Sequence, residues 1–293
     1  MADYPVQVFN PNTLQDLFAT WSRFSNAILY AGGLEIIRKQ DKRILALPGG
    51  IITLDKIDEL YKIRRTERYL EIGAMVKLNQ IIHLGRIVPE ALRSCLKQIA
   101  GPQLRNMATI GGNLCNPLQR LDATVPMIAL DAEYELRTAE SSRWISAFRF
   151  SSLPGRPDLA PQELLARIRV PLEPWTFTRY RKFNRSGTSE PGGGILLIAR
   201  MQKNILTDIR VIYCGRFIAR EKDSETMLAG KRLPLDKKET KAFVERWRYY
   251  LSIFEANENS IFPGEGVHFN PGLSNVQILN FIESTLIHIS DLF

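Results

Sequence analysis

Two glycine pairs constrain this chain more than any other feature. Each stands where a strand-like run gives way to a helix-like one. The first lies in LYAGGLEI, residues 29–36. The second lies in TIGGN, residues 109–113, inside the longer stretch IAGPQLRNMATIGGNLCNP (99–117). Glycine lets a backbone turn sharply and lets another group approach it closely, and the free N–H groups of a helix start attract phosphate. Taken singly, either pair reads most plainly as a turn from strand to helix. Neither carries the dinucleotide fingerprint GxGxxG, and no Gly-Lys-Ser/Thr of a phosphate loop is present. A standard Rossmann or kinase reading has no support.

The chain around them is globular. It has 293 residues, 45% apolar and 24% charged, enough for one large domain or two smaller ones. Cys95, Cys115 and Cys214 form no CxxC pair, and His83, His268 and His288 are scattered, so neither a disulfide framework nor a metal site is expected. The start MADYPVQVF lacks a basic segment followed by an apolar run, and no stretch approaches a membrane span. A cytoplasmic location with no membrane partner is the expectation. A net charge of +8 suits nucleic acid, a membrane surface or an anionic small molecule. No nucleic-acid recognition motif accompanies it, so no nucleic-acid partner is expected.

Periodicity supplies the elements. Asn12 and Gln15 read as a capping box, followed by Leu14, Leu17, Phe18 and Trp21 on one helix face. Strands are expected at AILY (27–30) and IITL (51–54), with a helix LEIIRKQ between them, so residues 7–54 read as a β-α-β-α-β unit. RYLEIGAM (68–75) reads as a strand. Pro89 suits a helix start whose buried face is Leu92, Leu96 and Ile99, with Gly101–Pro102 as its stop. A buried helix at VPMIAL (125–130), a strand at AEYELR and another ending in RIRVP (167–171) follow. PLEPWTF is the expected domain junction. Beyond it RYRKFNR, ILLIARMQ and DIRVIYCG read as an antiparallel sheet, with helices near 236–254 and 274–289. The last opens with a Ser274–Gln277 capping box. A polar connection spans 256–273.

The text around the glycines resembles the FAD-binding medium subunit of the molybdenum hydroxylases, the family of xanthine dehydrogenase and carbon monoxide dehydrogenase. AGGLEI (31–36) is similar to the family's AGGTDL, TLDKIDEL (53–60) to its DLSRI-x-EL, and Ile72, Gly73 and Ala74 to its IGA. LRNMATIGGNL (104–114) is similar to IRN-x-ATIGGNL, and PLQRLDATVPMIALDA (117–132) to the phrase that follows it. Tyr180, Lys182 and Arg185 match Y-x-K-x-x-R, and Glu225, Leu228, Gly230 and Lys231 match E-x-x-L-x-GK. The phrases keep their order from about residue 25 to 235.

The resemblance implies an α+β fold. A two-subdomain FAD-binding domain of the vanillyl-alcohol-oxidase/PCMH type would occupy 1–173, with subdomains about 1–56 and 57–173. A smaller C-terminal α+β domain, an antiparallel sheet plus helices, would occupy 174–293. It also implies that FAD lies extended between the subdomains, its diphosphate held by N–H groups of both turns. Leu29, Tyr30, Ala31, Gly32, Gly33, Leu34, Glu35 and Ile36 would form the first cradle, and Thr109, Ile110, Gly111, Gly112 and Asn113 the second. On this expectation the glycines exist because side chains would block the diphosphate. Asp122 matches an aspartate near the adenosine and ribitol side, or is a plain helix N-cap. Ile99 matches a cofactor contact, or is core. Lys182 matches a basic residue beside the flavin, or belongs to a solvated charged face.

The function so implied is electron transfer, with no catalytic acid or base required of this chain. Electrons would come from two [2Fe–2S] clusters in a small subunit, fed by a molybdopterin-binding large subunit, and leave through FAD to NAD+ or another acceptor. This chain has no cysteine set for a cluster. Three departures stand out. Leu34–Glu35 replaces Thr-Asp, the Gly192–Gly194 run is either a loop near the flavin ring or a bulge, and the last 50 or so residues match the family poorly. The first and last of these motivate a second expectation, a subunit of the same fold that has lost FAD and serves only as a structural partner.

Overall fold

The computed structural model describes residues 6–38, 49–116, 122–152, 157–184, 191–215, 217–256 and 274–293. Residues 257–273 of the expected polar connection lie outside them, as do 117–121, Arg185 and residues 187–190.

The chain opens with the expected alternation: β1 (Gln7–Phe9), α1 (Leu14–Arg23), β2 (Ile28–Tyr30), α2 (Leu34–Arg38) and β3 (Gly50–Thr53). The strands form a parallel sheet in the order β1-β3-β2. The cap of α1 falls one residue later than read. Thr13, not Asn12, is the N-cap, and its hydroxyl accepts the Asp16 N–H at 3.0 Å. Leu14, Leu17 and Phe18 bury the inner face as the spacing requires.

Next come β4 (Ile63–Arg65), β5 (Tyr69–Gly73), α3 (Leu78–His83), α4 (Glu90–Lys97), α5 (Pro102–Met107), α6 (Ile110–Leu114), α7 (Thr124–Ala129), β6 (Glu133–Arg137), β7 (Ser142–Ser146), α8 (Ala147–Ser152) and β8 (Leu164–Pro171). The strands pair antiparallel in the order β4-β5-β8-β6-β7. Helix α4 begins after Pro89 but ends at Lys97, short of Ile99. Gly101–Pro102 does not merely stop a helix; Pro102 opens α5, where its fixed φ suits the first turn.

The C-terminal part contains β9 (Phe177–Asn184), β10 (Pro191–Gln202), β11 (Ile205–Cys214), β12 (Ile218–Ala219), α9 (Lys222–Leu228), β13 (Lys231–Arg232), α10 (Lys237–Ala256) and α11 (Asn275–Ser290). The sheet runs β12-β11-β10-β9, with β13 beside β11. The Ser274–Gln277 capping box is present as read. The register between β9 and β10 shifts between Pro191 and Gly193, so the Gly192–Gly194 run is an irregularity of the strand. Gly194 has a reason to lack a side chain: a Cβ there would come within 2.8 Å of the Tyr180 hydroxyl.

Strand β10 is buried on both faces. Leu196 and Ile198 join the core of the middle region, while Ile195, Leu197 and Ala199 join the core under α10 and α11. Strand β8 does the same on its side. Leu165, Ile168 and Val170 face the middle core, and Leu164 and Ala166 face the core of the N-terminal sheet. Two arginines fasten the corner after α7. Arg210 donates to the Ala129 carbonyl at 2.7 Å, and Arg220 donates to the Ile128 carbonyl and pairs with Asp131 and Glu225.

Candidate functional site

The parallel strands β2 and β3 end together, with Tyr30 beside Thr53, and the Leu54 N–H donates to the Tyr30 carbonyl. In parallel sheets this end of the strands is where ligands bind. Here the chain turns through Gly32 and Gly33, and Gly33 has φ +70°, a left-handed conformation that favours glycine. Helix α2 starts at once and buries none of its residues, although Leu34, Ile36 and Ile37 are apolar. Leu29, Tyr30, Ala31, Leu34, Glu35 and Ile36 are all half-buried. Among the described residues, the Gly32 and Gly33 N–H groups have no intramolecular acceptor.

The second turn lies directly against the first. A Cβ on Gly32 would sit 2.4 Å from the Met107 carbonyl oxygen and 3.4 Å from the Ala108 Cα. A side-chain bridge reinforces the contact, because the Asn116 amide donates to the Glu35 carboxylate at 3.0 Å. Glu35 is also gripped by Arg38 at 2.8 Å. The two segments, nearly eighty residues apart in sequence, form one place.

Their donors differ. Thr109 caps α6, and its hydroxyl oxygen accepts the Gly112 N–H at 3.0 Å. The Ile110 N–H donates to the Val76 carbonyl, the Gly111 N–H to the Ala74 carbonyl, and the Asn113 N–H to the Thr109 carbonyl. All four amides from Ile110 to Asn113 are therefore engaged within the protein. Of the two glycine pairs, only the first has amides, those of Gly32 and Gly33, without an acceptor among the described residues. The expected reason for the glycines also changes. A Cβ would strike Met107 at Gly32, the Tyr30 ring at Gly33, Ala74 at Gly111 and the Thr109 hydroxyl at Gly112. The glycines let protein segments close on one another, and any ligand meets the surface they create.

Asp122 and Lys182, left with two readings each, are partners. The Lys182 ammonium stands 2.8 Å from one Asp122 carboxylate oxygen, with side chains 18% and 6% exposed. The Tyr180 hydroxyl donates to the other oxygen at 3.2 Å, and the Cys95 thiol donates to the Asp122 carbonyl at 3.1 Å. Asp122 is not an N-cap: that position in α7 is Ala123, with no side-chain cap bond. Lys182 is not on a solvated face. The Asn113 side chain accepts the Ala123 N–H at 3.3 Å, which ties this cluster to the second turn. Burial, then the charges of Cys95 and Asp122, push the Tyr180 phenol up, so it stays a proton donor. Ile99 is a buried member of the middle core. Its turn is pinned by Arg105, which donates to the carbonyls of Lys97, Ile99 and Ala100.

Sequence reasoning missed Arg105, Cys95 and Lys77, since each acquires its place only through packing or strand register. A separate shallow cavity of about 470 Å³ lies between β9 and α11, lined by Phe177, Arg179, Ser284 and His288, and touches none of these residues. Among the described residues, no helix is long and apolar enough to cross a membrane.

The family described as the FAD binding domain in molybdopterin dehydrogenase matches residues 4–173. The glyceraldehyde dehydrogenase medium chain of Sulfolobus acidocaldarius is 28% identical over 187 residues, 63% of this chain and 66% of that one. The xanthine dehydrogenase FAD-binding subunit of Escherichia coli O157:H7 is 33% identical over 128 residues, 42% and 44% of the two chains. The chain thus spans just under two thirds of the first relative and under half of the second. Among solved structures, quinoline 2-oxidoreductase from Pseudomonas putida 86 superposes with a TM-score of 0.77 over 98% of each chain at 20% identity. Carbon monoxide dehydrogenase from Hydrogenophaga pseudoflava gives 0.76 at 24% identity, over 98% of this chain and 96% of that one. At these identities the structural likeness speaks for the fold.

Proposed function

The chain belongs to the family of FAD-binding domains of molybdopterin dehydrogenases, and from that premise we propose that it is the FAD-carrying, electron-transferring subunit of a molybdenum hydroxylase complex. One observation carries the reading: the two glycine turns abut at Gly32 and Met107, and the Gly32 and Gly33 amides have no acceptor among the described residues. These residues suit a diphosphate. Among the described residues, the Gly32 and Gly33 N–H groups have no intramolecular acceptor, and oriented backbone donors hold an oxyanion well. The Thr109 hydroxyl accepts from Gly112, so its own proton is free to donate. Leu29, Tyr30, Leu34 and Ile36 supply half-buried apolar surface for an aromatic ring system, with Glu35 and Asn116 clamping the two turns beneath it.

Asp122 keeps acceptor capacity toward cofactor hydroxyls while it holds Lys182 in place, and Lys182 brings a fixed positive charge to that end of the site. Bound FAD would supply the exchange of electrons between iron–sulfur clusters and a terminal acceptor, for which NAD+ is our proposal. The clusters and the molybdopterin belong, on this reading, to a small and a large partner subunit in the cytoplasm. The test is direct. The purified full-length chain should be yellow, release FAD on denaturation, and co-purify with two such subunits when all three are expressed together.

The engaged amides of residues 110–113 favour a second reading, a subunit that keeps the fold without the cofactor. Colourless protein that cannot take up added FAD would establish that one instead.

A further inference from the structure

Among the described residues, the ion pairs leave out Lys77, a cation whose backbone adjoins the second turn. Lys77 is half-buried just before α3. Its backbone forms an isolated antiparallel bridge with Thr109, flanked by bonds from Ile110 to Val76 and from Leu78 to Ala108. That pattern makes Lys77 and Thr109 a non-hydrogen-bonded pair, in which both side chains project to the same side, with Cβ atoms about 4.5–5.5 Å apart. Lys77 therefore shares a side with the Thr109 hydroxyl of the second turn. In the other direction the charge acting on it is Asp55. Asp55 follows Leu54, whose N–H bonds to Tyr30 at the root of the first turn. Among the described residues, no carboxylate approaches within 4.0 Å of the Lys77 ammonium, whereas Lys182 and Arg38 beside the same site are both paired. Burial lowers the Lys77 pKa, with Asp55 opposing. Such a cation is partly desolvated and has no carboxylate in contact among the described residues.

We propose that the Lys77 ammonium is the counter-cation for the diphosphate of FAD, held between the Thr109 hydroxyl and the first glycine turn. This rests on the function proposed above. It resolves a deficit in the site: a doubly charged group would otherwise meet the amides of the first turn and the Thr109 hydroxyl but no opposing charge. Sequence alone gave no sign of it, because Lys77 reaches Thr109 by the bridge and not by proximity along the chain. An anion placed there gains a charge-assisted contact in a partly desolvated setting, and Asp55 competes with it for the same cation.

The experiment titrates flavin-stripped, full-length chain with FAD, comparing the original sequence with Lys77→Met, Lys77→Arg and Asp55→Asn, and records the thermal midpoint of each unliganded variant. Expected are a loss of FAD affinity of about tenfold or more for Lys77→Met, near-original affinity for Lys77→Arg, and affinity equal to or tighter than the original for Asp55→Asn. Thermal midpoints should stay close together, and Lys77→Met should bind with weaker salt dependence. Equal affinity in Lys77→Met and the original overturns the inference alone, as does a Lys77→Arg variant as weak as Lys77→Met. Failure of the original chain to bind FAD overturns the proposed function and this inference with it.

Discussion

Gly32 and Met107 touch so closely that a single added carbon at Gly32 would lie 2.4 Å from the Met107 carbonyl oxygen. The obstacle is backbone, which cannot swing aside as a flexible side chain would. Gly32→Ala must therefore push the two turns apart. We expect a destabilisation of about 1–3 kcal/mol, typical of overpacking, read as a fall in thermal midpoint, together with loss of bound flavin. A variant that melts normally and stays yellow would show that the turns need not abut.

The Asp122–Lys182 pair is the second point of attack. Asp122→Ala leaves a largely buried ammonium without its carboxylate and removes the acceptor of the Tyr180 hydroxyl. The expected cost is about 3 kcal/mol. Adding Lys182→Met to that variant should restore part of the loss, because the stranded charge is gone. A double-mutant cycle by chemical denaturation measures the coupling.

Stability should fall in acid for an identifiable reason. Bidentate hydrogen bonds from Arg143 hold the Glu163 carboxyl below its usual range, against the opposing effect of burial. Burial pushes Glu71 up, but the hydrogen bonds and charges of Arg169 and Arg167 together prevail and lower it. Carboxyls depressed in the folded state stabilise it fully above their unfolded pKa of about 4.3 and lose that contribution as pH falls through the folded values. Thermal midpoints should therefore be level near neutrality and decline below about pH 4. Glu163→Gln should start lower and decline less.

The thiols should be unreactive until the chain unfolds. Burial, with the charge of Asp122 adding to it, pushes the Cys95 thiol well up. Cys115 is partly exposed as a residue, yet desolvation of its thiol raises the pKa to about 12. Since the thiolate is the nucleophile, a chromogenic disulfide at pH 8 should label Cys95 and Cys115 slowly in native protein. In denaturant it should label all three cysteines at once.

Much of the fold was legible in the sequence, for reasons visible in particular elements. Leu14, Leu17 and Phe18 recur at helical spacing because one face of α1 is buried, and Ser274 with Gln277 announces α11 because both ends of a capping box are local. Where two residues compete for one local role, local rules fail. Asn12 and Thr13 are both good caps, and only the chain's path selects Thr13. Ile99 continues the apolar spacing of α4, but the chain leaves the helix at Lys97 and places Ala100 at φ +46°, so Ile99 reaches the core from a turn.

The site was legible as a set of segments but not as an arrangement. The glycines stood out in the sequence itself, and resemblance added Asp122 and Lys182. It did not reveal that the last two neutralise one another, nor that each glycine makes room for protein. Those facts depend on what lies opposite, and no period within a segment encodes it. Lys77 is the extreme case, joined to Thr109 by strand register alone.

The double-sided burial of β10 has a consequence for anyone who would shorten this chain. The family match ends at residue 173, which invites a cut there. Yet Leu196, Ile198, Ile212 and Cys214 plug the very core that the matched region builds. A fragment ending at the match would be a vessel without its stopper. It should clump or bind apolar dyes where the intact chain does neither.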